Sequence, residues 1–202
     1  MHSVVETLPS PPEAPAKSDP PRSQYLSNED HALVARACAG DERALRHFYN
    51  AYQAQVRGHL HRLLGADPDI DDMLQTVFTN AFLALARFKG QSTISTWLYR
   101  ITANSTHNLL RQRFRRDRVK SALRSFNISR QAHLQTDRID TRDEVSRVLK
   151  CLHPDLRETF VLYHYEGRTL QEISQILSKP ISTVGDRLSR ARRKLKEILA
   201  SS

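Results

Sequence analysis

The chain has 202 residues, 39% of them hydrophobic, which suits one ordinary domain or two small ones and excludes a large multidomain enzyme. Lys and Arg number 31 against 22 Asp and Glu, and the formal charge of +9 favours a polyanionic partner, nucleic acid ahead of a membrane surface. Cys38 and Cys151 lie far apart with no CxxC spacing, which argues against a disulfide framework or a cysteine zinc site, and the longest apolar run, 81–86, is far short of the roughly 20 residues that span a bilayer.

Six of the nine prolines fall before residue 22, in a stretch otherwise rich in Ser, Ala, Glu and Lys, so residues 1–27 are expected to form a disordered tail. Its start, MHSVVETLPS, lacks the basic residues and apolar stretch of a secretory signal, and a cytoplasmic location is expected. From Glu42, the residues Leu45, Phe48, Tyr49, Tyr52, Val56, Leu60 and Leu63 recur at steps of three and four, the period of a helix with one buried stripe. Asp41 is its expected N-cap and Gly65 its stop. A second run, Ile70, Leu74, Val77, Phe78, Ala81, Phe82 and Leu85, has Asp67, Asp69, Asp71 and Asp72 at its start, which suits the positive end of a helix dipole. A third, opened by Ser92 and Thr93, carries Ile94, Leu98, Ile101, Leu109 and Phe114.

The pattern fades over residues 117–141, read as a linker, and resumes with Val145, Val148, Leu149 and Leu152, then Leu156, Phe160 and Val161. No period of two appears anywhere, so the fold class is all-α: two small helical domains, 28–116 and 142–202, joined by a flexible linker.

The basic residues are clustered. Six lie in 111–120 and six more in 187–196, one cluster at the end of each domain. Along the third helix, Arg100, Asn104, Asn108, Arg111 and Arg115 follow steps of three and four and so share one face opposite Ile94, Leu98 and Ile101. Amide and guanidinium groups at that spacing suit base edges and phosphates.

The segment GRTLQEISQILSKPISTVGDRLSRARRKLKEIL has the layout of a helix-turn-helix. Thr169 caps a first helix with Glu172 as capping-box partner, residues 178–181 form the turn, and Ser182 is the expected cap of the second helix. Small Ser174 permits close approach of the two. The second helix offers Thr183, Asp186, Arg187 and Arg190 to a major groove, with Arg193 further along placed for phosphate.

Three stretches together, DIDDMLQTVFTNAFLALARFKG, STISTWLYRITANSTHNLLRQRFRR and LHPDLRETFVLYHYEGRTLQEISQILSKPISTVGDRLSRARRKL, make the chain resemble a bacterial sigma factor of the extracytoplasmic-function class. The resemblance spans residues 28–199. It implies that the first domain (sigma domain two) binds the clamp helices of core RNA polymerase and opens promoter DNA at the minus 10 element. The second, sigma domain four, would bind the minus 35 element and the polymerase flap. Asp72, Gln75, Phe78 and Phe82 match the clamp-binding helix, Asp72 and Gln75 facing polymerase and the two Phe facing the core. Trp97, Tyr99, Arg100 and Asn104 match the signature of the helix that meets the minus 10 element, and the loop with Gln91, Ser92 and Thr93 would receive an unstacked base. An anti-sigma factor, often membrane-anchored, is a further implied partner.

The chain departs from the family pattern at Thr76, Asn80, Gly185 and Asp186, and Ser178 replaces the common glycine of the turn. The alternative is a stand-alone helix-turn-helix regulator, which would bind a dyad-symmetric site unaided. An enzyme is not expected: His59 and His61 point to different faces of a helix, no HExxH or nucleophile motif occurs, and neither metal nor cofactor is implied.

Overall fold

A computed structural model describes residues 26–126 and 141–200, with side chains for 26–119 and 145–200. Eight helices fill these stretches, and no strand occurs among the described residues: α1 (Asn28–Cys38), α2 (Glu42–Leu64), α3 (Ile70–Leu85), α4 (Ile94–Phe126), α5 (Thr141–Lys150), α6 (Pro154–His164), α7 (Leu170–Leu177) and α8 (Ile181–Ala200). The expected tail lies outside the described residues except for Leu26 and Ser27, and the expected linker lies outside them over residues 127–140.

No apolar period announces α1. Its start is fixed instead by a capping box in which Ser27 and Asp30 satisfy each other's backbone N–H groups. Asp41 caps α2 by accepting from the N–H groups of Arg43 and Ala44. The Arg36 guanidinium and those amides hold its carboxyl below the ordinary value. Gly65 ends α2 at φ +75, a left-handed backbone that only glycine adopts without strain.

Helix α4 runs to Phe126, well past the point where the apolar period fades and a linker was expected to begin. Arg115, Arg116, Asp117, Arg118 and Val119 are all exposed on this extension. Arg, Lys, Leu and Ala propagate a helix from an established one without needing a packed face, so periodicity understates its length.

The four N-terminal helices enclose Phe48, Leu60, Leu63, Leu74, Val77 and Leu98, all fully or almost fully buried. The C-terminal helices do not close a separate core. Leu149, Leu152, Phe160 and Leu188 join the N-terminal cluster, while Tyr99 and Ala103 of α4 pack with Leu162, Ile173, Ile176 and Val184. Helix α2 lies against α5 and α6, and α4 against α6 and α7. The two domains therefore share buried surface.

Candidate nucleic-acid and partner interface

The helix-turn-helix is built from α7, the turn and α8. Thr169 and Glu172 form the expected capping box, with the Thr169 N–H donating to Glu172 Oε2 at 2.8 Å and the Glu172 N–H to Thr169 Oγ1 at 3.2 Å. Ser178 occupies the turn at φ +51, the one non-glycine residue with positive φ among the described residues. Ser174 Oγ donates to the Lys179 carbonyl at 2.6 Å and holds the turn against α7. Ser182 is not the cap expected of it: α8 already starts at Ile181, placing Ser182 inside the first turn.

Val184, Leu188, Ala191 and Leu195 point α8 inward, which leaves Asp186, Arg190 and Arg193 exposed and Thr183 half-buried at the rim. Arg187 differs from them. Its guanidinium donates to Asp155 Oδ2 at 3.1 Å, and only 18% of its side chain is exposed. Space beside Gly185 is open, so this departure from the family pattern leaves the outer face of α8 flat.

On α4 the predicted ridge divides. Asn104, Asn108, Arg111 and Arg115 are exposed in line, whereas Arg100 is half-buried with its Nε unpartnered. Trp97 is half-buried, its ring 4.9 Å from Phe88. Arg113 belongs to the basic cluster in sequence but folds back to ion pairs with Asp67 and Asp69. Thr93, rather than Ser92, caps α4, accepting from the Thr96 N–H at 3.1 Å. Ser92 Oγ donates to the Thr93 carbonyl and Gln91 is exposed, so the loop presents one amide side chain beside two occupied hydroxyls.

Asp72 and Gln75 are exposed on α3, while Phe78 is buried and Phe82 half-buried against Phe48. Asn80 is turned to α4, donating to Ser105 Oγ at 3.1 Å. Leu83 is 77% exposed, the most exposed large apolar side chain on this helix. Sequence reading missed it because it falls out of phase with the buried stripe, and a large apolar residue off that phase inside the apolar run 81–86 is the signal that could have found it.

Two further groups carry no sequence signal. Asp155 sits between Arg187 and, at 3.7 Å, Arg111 of α4, so one carboxylate faces a basic residue from each cluster. Glu158 is buried beside it, with Oε1 unpartnered. Burial first, and the charge of Asp155 second, push its carboxyl up to about 8 against the opposing pull of Arg187. Both carboxyl groups, with Asn104, Arg111, Lys179 and Arg187, line a cavity of about 150 Å³ between the halves. A second, open groove is lined by Arg111, Phe114, Arg115, Arg118 and His153, a basic and aromatic surface suited to a phosphate backbone. Among the described residues no group of His, Cys, Asp or Glu is arranged to hold a metal ion, and no helix is long and apolar enough to cross a membrane.

Comparison with known proteins agrees with this architecture. Residues 48–116 match the family model of Sigma-70 region 2 and residues 142–195 that of Sigma-70, region 4. The ECF RNA polymerase sigma-E factor of Haemophilus influenzae is 32% identical over 177 residues, covering 81% of this chain and 91% of that protein. The RNA polymerase sigma-H factor of Pseudomonas aeruginosa is 30% identical, covering 85% and 94%. Among solved structures, the sigma factor RpoE in complex with the anti-sigma factor NepR from Bartonella quintana is 25% identical with a TM-score of 0.57, covering 77% of this chain and 96% of that one. The fold is also that of CnrH in complex with the cytosolic domain of CnrY, at 24% identity and a TM-score of 0.63, covering 87% and 99%. Taken with two basic helix faces, one of them in a helix-turn-helix, these matches place the chain in the extracytoplasmic-function family of RNA polymerase sigma factors.

Proposed function

We propose that this chain directs core RNA polymerase to particular promoters in the cytoplasm, with α3 docking on polymerase and α4 and α8 reading the minus 10 and minus 35 elements. The observation that carries the reading is the pairing of two exposed basic faces, Asn104 to Arg115 on α4 and Asp186 to Arg193 on α8, with an uncharged apolar spot at Leu83 on a separate helix. Phosphate contacts from the arginines supply affinity and amide contacts supply discrimination, which is the division of labour that promoter selection requires.

Residue roles follow from placement. Asp72, Gln75 and Leu83 form the polymerase face of α3; Gln91, with Ser92 and Thr93 behind it, borders the base opened at the minus 10 element; Arg190 reads the minus 35 element and Arg193 holds phosphate. Trp97 supports the loop by packing on Phe88 rather than by meeting DNA with its whole face. The sigma-factor likeness to RpoE bound by NepR supports an anti-sigma factor as a further partner of this chain.

The test is run-off transcription with purified core polymerase on fragments of the source genome. Defined transcripts that need both components are expected. Specific duplex binding by the chain alone, with no core-dependent transcript, would overturn the reading in favour of a stand-alone regulator.

A further inference from the structure

We infer that the cavity bounded by α4, α6 and the helix-turn-helix is a binding site for a phosphate group, with Glu158 donating a hydrogen bond to the anion and Lys179, Arg187 and Arg111 supplying positive charge around it. The site goes beyond the sigma-factor reading and does not depend on it.

Glu158 lies on α6 and is only 4% exposed, yet its carboxyl lines the cavity and its Oε1 is unpartnered. A buried polar atom without a hydrogen bond costs about 1–3 kcal/mol. An apolar side chain of similar size would avoid that cost; a hydrogen-bonding guest in the cavity offsets it. Burial and the neighbouring charge of Asp155 push the carboxyl up to about 8, so at neutral pH it is uncharged and carries an O–H donor.

The remaining wall identifies the guest. Arg111, Lys179 and Arg187 bring three cations against the single carboxylate of Asp155. Arg187 gives Asp155 one N–H at 3.1 Å, and Arg111 lies 3.7 Å from the same carboxylate, which leaves most donors of both guanidinium groups for another acceptor. The amide of Asn104 adds a further donor. A bound cation would meet a positive wall, and an apolar molecule would leave these donors unmatched, whereas a tetrahedral oxyanion accepts through every oxygen.

Size limits the guest to one such group. The cavity volume of about 150 Å³ equals the share of liquid held by about five waters, which suits the phosphorus and four oxygens of a phosphate. An ester must leave its organic part outside, and the structure offers a place for it. Arg111 also lines the adjoining open groove with Phe114 and His153, so the base of a nucleotide can lie against an aromatic ring while its phosphate enters the cavity. The phosphate group is therefore supplied either by free inorganic phosphate or by a nucleotide.

Isothermal titration calorimetry of the full chain at constant ionic strength, with inorganic phosphate as the first probe, should show one saturable site. Lys179→Ala, at an exposed position, should weaken it about tenfold through loss of one charge-assisted contact. Glu158→Leu, which removes the donor and keeps the size, should weaken it by about as much, whereas Glu158→Gln keeps a neutral donor and should bind within about twofold of wild type. A purely structural role for Glu158 would not separate these two replacements. Sulfate, which remains a dianion throughout, supplies a pH test. From near pH 7 to near pH 9 wild type should lose up to about tenfold in sulfate affinity as Glu158 releases its proton beside the anion, and Glu158→Gln should lack that added loss. Glu158 faces Asp155 on its own helix, Arg187 on α8, Lys179 in the turn, and His107 and Arg111 on α4; all are common to both proteins, so the difference between the profiles belongs to Glu158.

Adenosine monophosphate distinguishes the source of the phosphate. Affinity about tenfold above that of inorganic phosphate, with the gain removed by Phe114→Ala, assigns the site to a nucleotide, and equal affinity assigns it to the free anion. If Glu158→Leu loses helical content by circular dichroism, Lys179→Ala and the sulfate profile of Glu158→Gln decide. Absence of saturable phosphate binding, or binding that is the same in every folded variant, would overturn the site.

Discussion

Ser178 shows how one residue can be tolerated and still be improvable. At φ +51 a side chain with a β-carbon sits in the left-handed region, which costs roughly 1 kcal/mol or more, and the family's usual glycine avoids that cost. Ser178→Gly should therefore raise the thermal midpoint by a few degrees, an increment equivalent to about 0.5–1 kcal/mol once the looser unfolded chain is set against it. An unchanged or lower midpoint by calorimetry would mean that the turn is not strained. Glu158 gives a second test. Its carboxyl is raised from 4.5 to about 8, so the folded chain holds a proton that the unfolded chain releases between those values. The associated stability is complete below about pH 4.5 and is lost as pH rises through 8, amounting to a few kcal/mol at most. Glu158→Gln, neutral at every pH, should match wild type near pH 5 and exceed it near pH 9 in urea midpoint. Equal differences at the two pH values would show that burial does not govern this group.

At the scale of the helix, surface and core residues make separable predictions. Changing Asp72 and Gln75 together to Arg should abolish copurification with core polymerase while helical content stays intact, because both are exposed and neither supports the stripe from Ile70 to Leu85. Wild-type binding by that double variant would move the polymerase face elsewhere. On α8, Arg190→Ala should relax base preference in a promoter-variant library by the ~1–3 kcal/mol of a bidentate contact, whereas Arg193→Ala should weaken all sequences alike and reduce the salt slope by about 0.9. Identical profiles for the two would merge their roles. The helices themselves were largely legible, since α2, α3, α7 and α8 each follow an apolar stripe, with recognisable side-chain caps at α2 and α7. Helix α1 was not, because its start depends on Ser27 and Asp30 and its short stripe on Leu33, Val34 and Ala37 gives little period to read. The reach of α4 was missed for the opposite reason: Arg115 to Val119 are all exposed, so no buried stripe marks the helix there.

At the scale of the whole chain, charge clustering was visible in sequence but its use was not. Arg113 and Arg187 count equally with Arg115 and Arg190 in composition, yet the fold spends the first pair on Asp67, Asp69 and Asp155. Nor does any spacing announce that Glu166 will meet His59, Arg62 and Tyr99, since contacts between residues 67 to 107 positions apart leave no periodic trace. This packing predicts how the chain unfolds. Leu149, Leu152 and Phe160 are buried in the same cluster as Leu60 and Leu63, and the polar contacts of Glu166 and Arg157 lie under the same surface. Neither half can lose its fold without exposing apolar area and carbonyl groups of the other, which couples them into one cooperative unit. Wild type should accordingly melt in a single calorimetric transition, with calorimetric and van't Hoff enthalpies in agreement. Glu166→Lys should split that transition in two as the halves separate and melt independently. Moderate salt should not mimic the variant, because screening acts on exposed pairs and hardly on a carboxylate this deeply enclosed. Two transitions already present in wild type would mean that the shared cluster does not bind the halves into a unit.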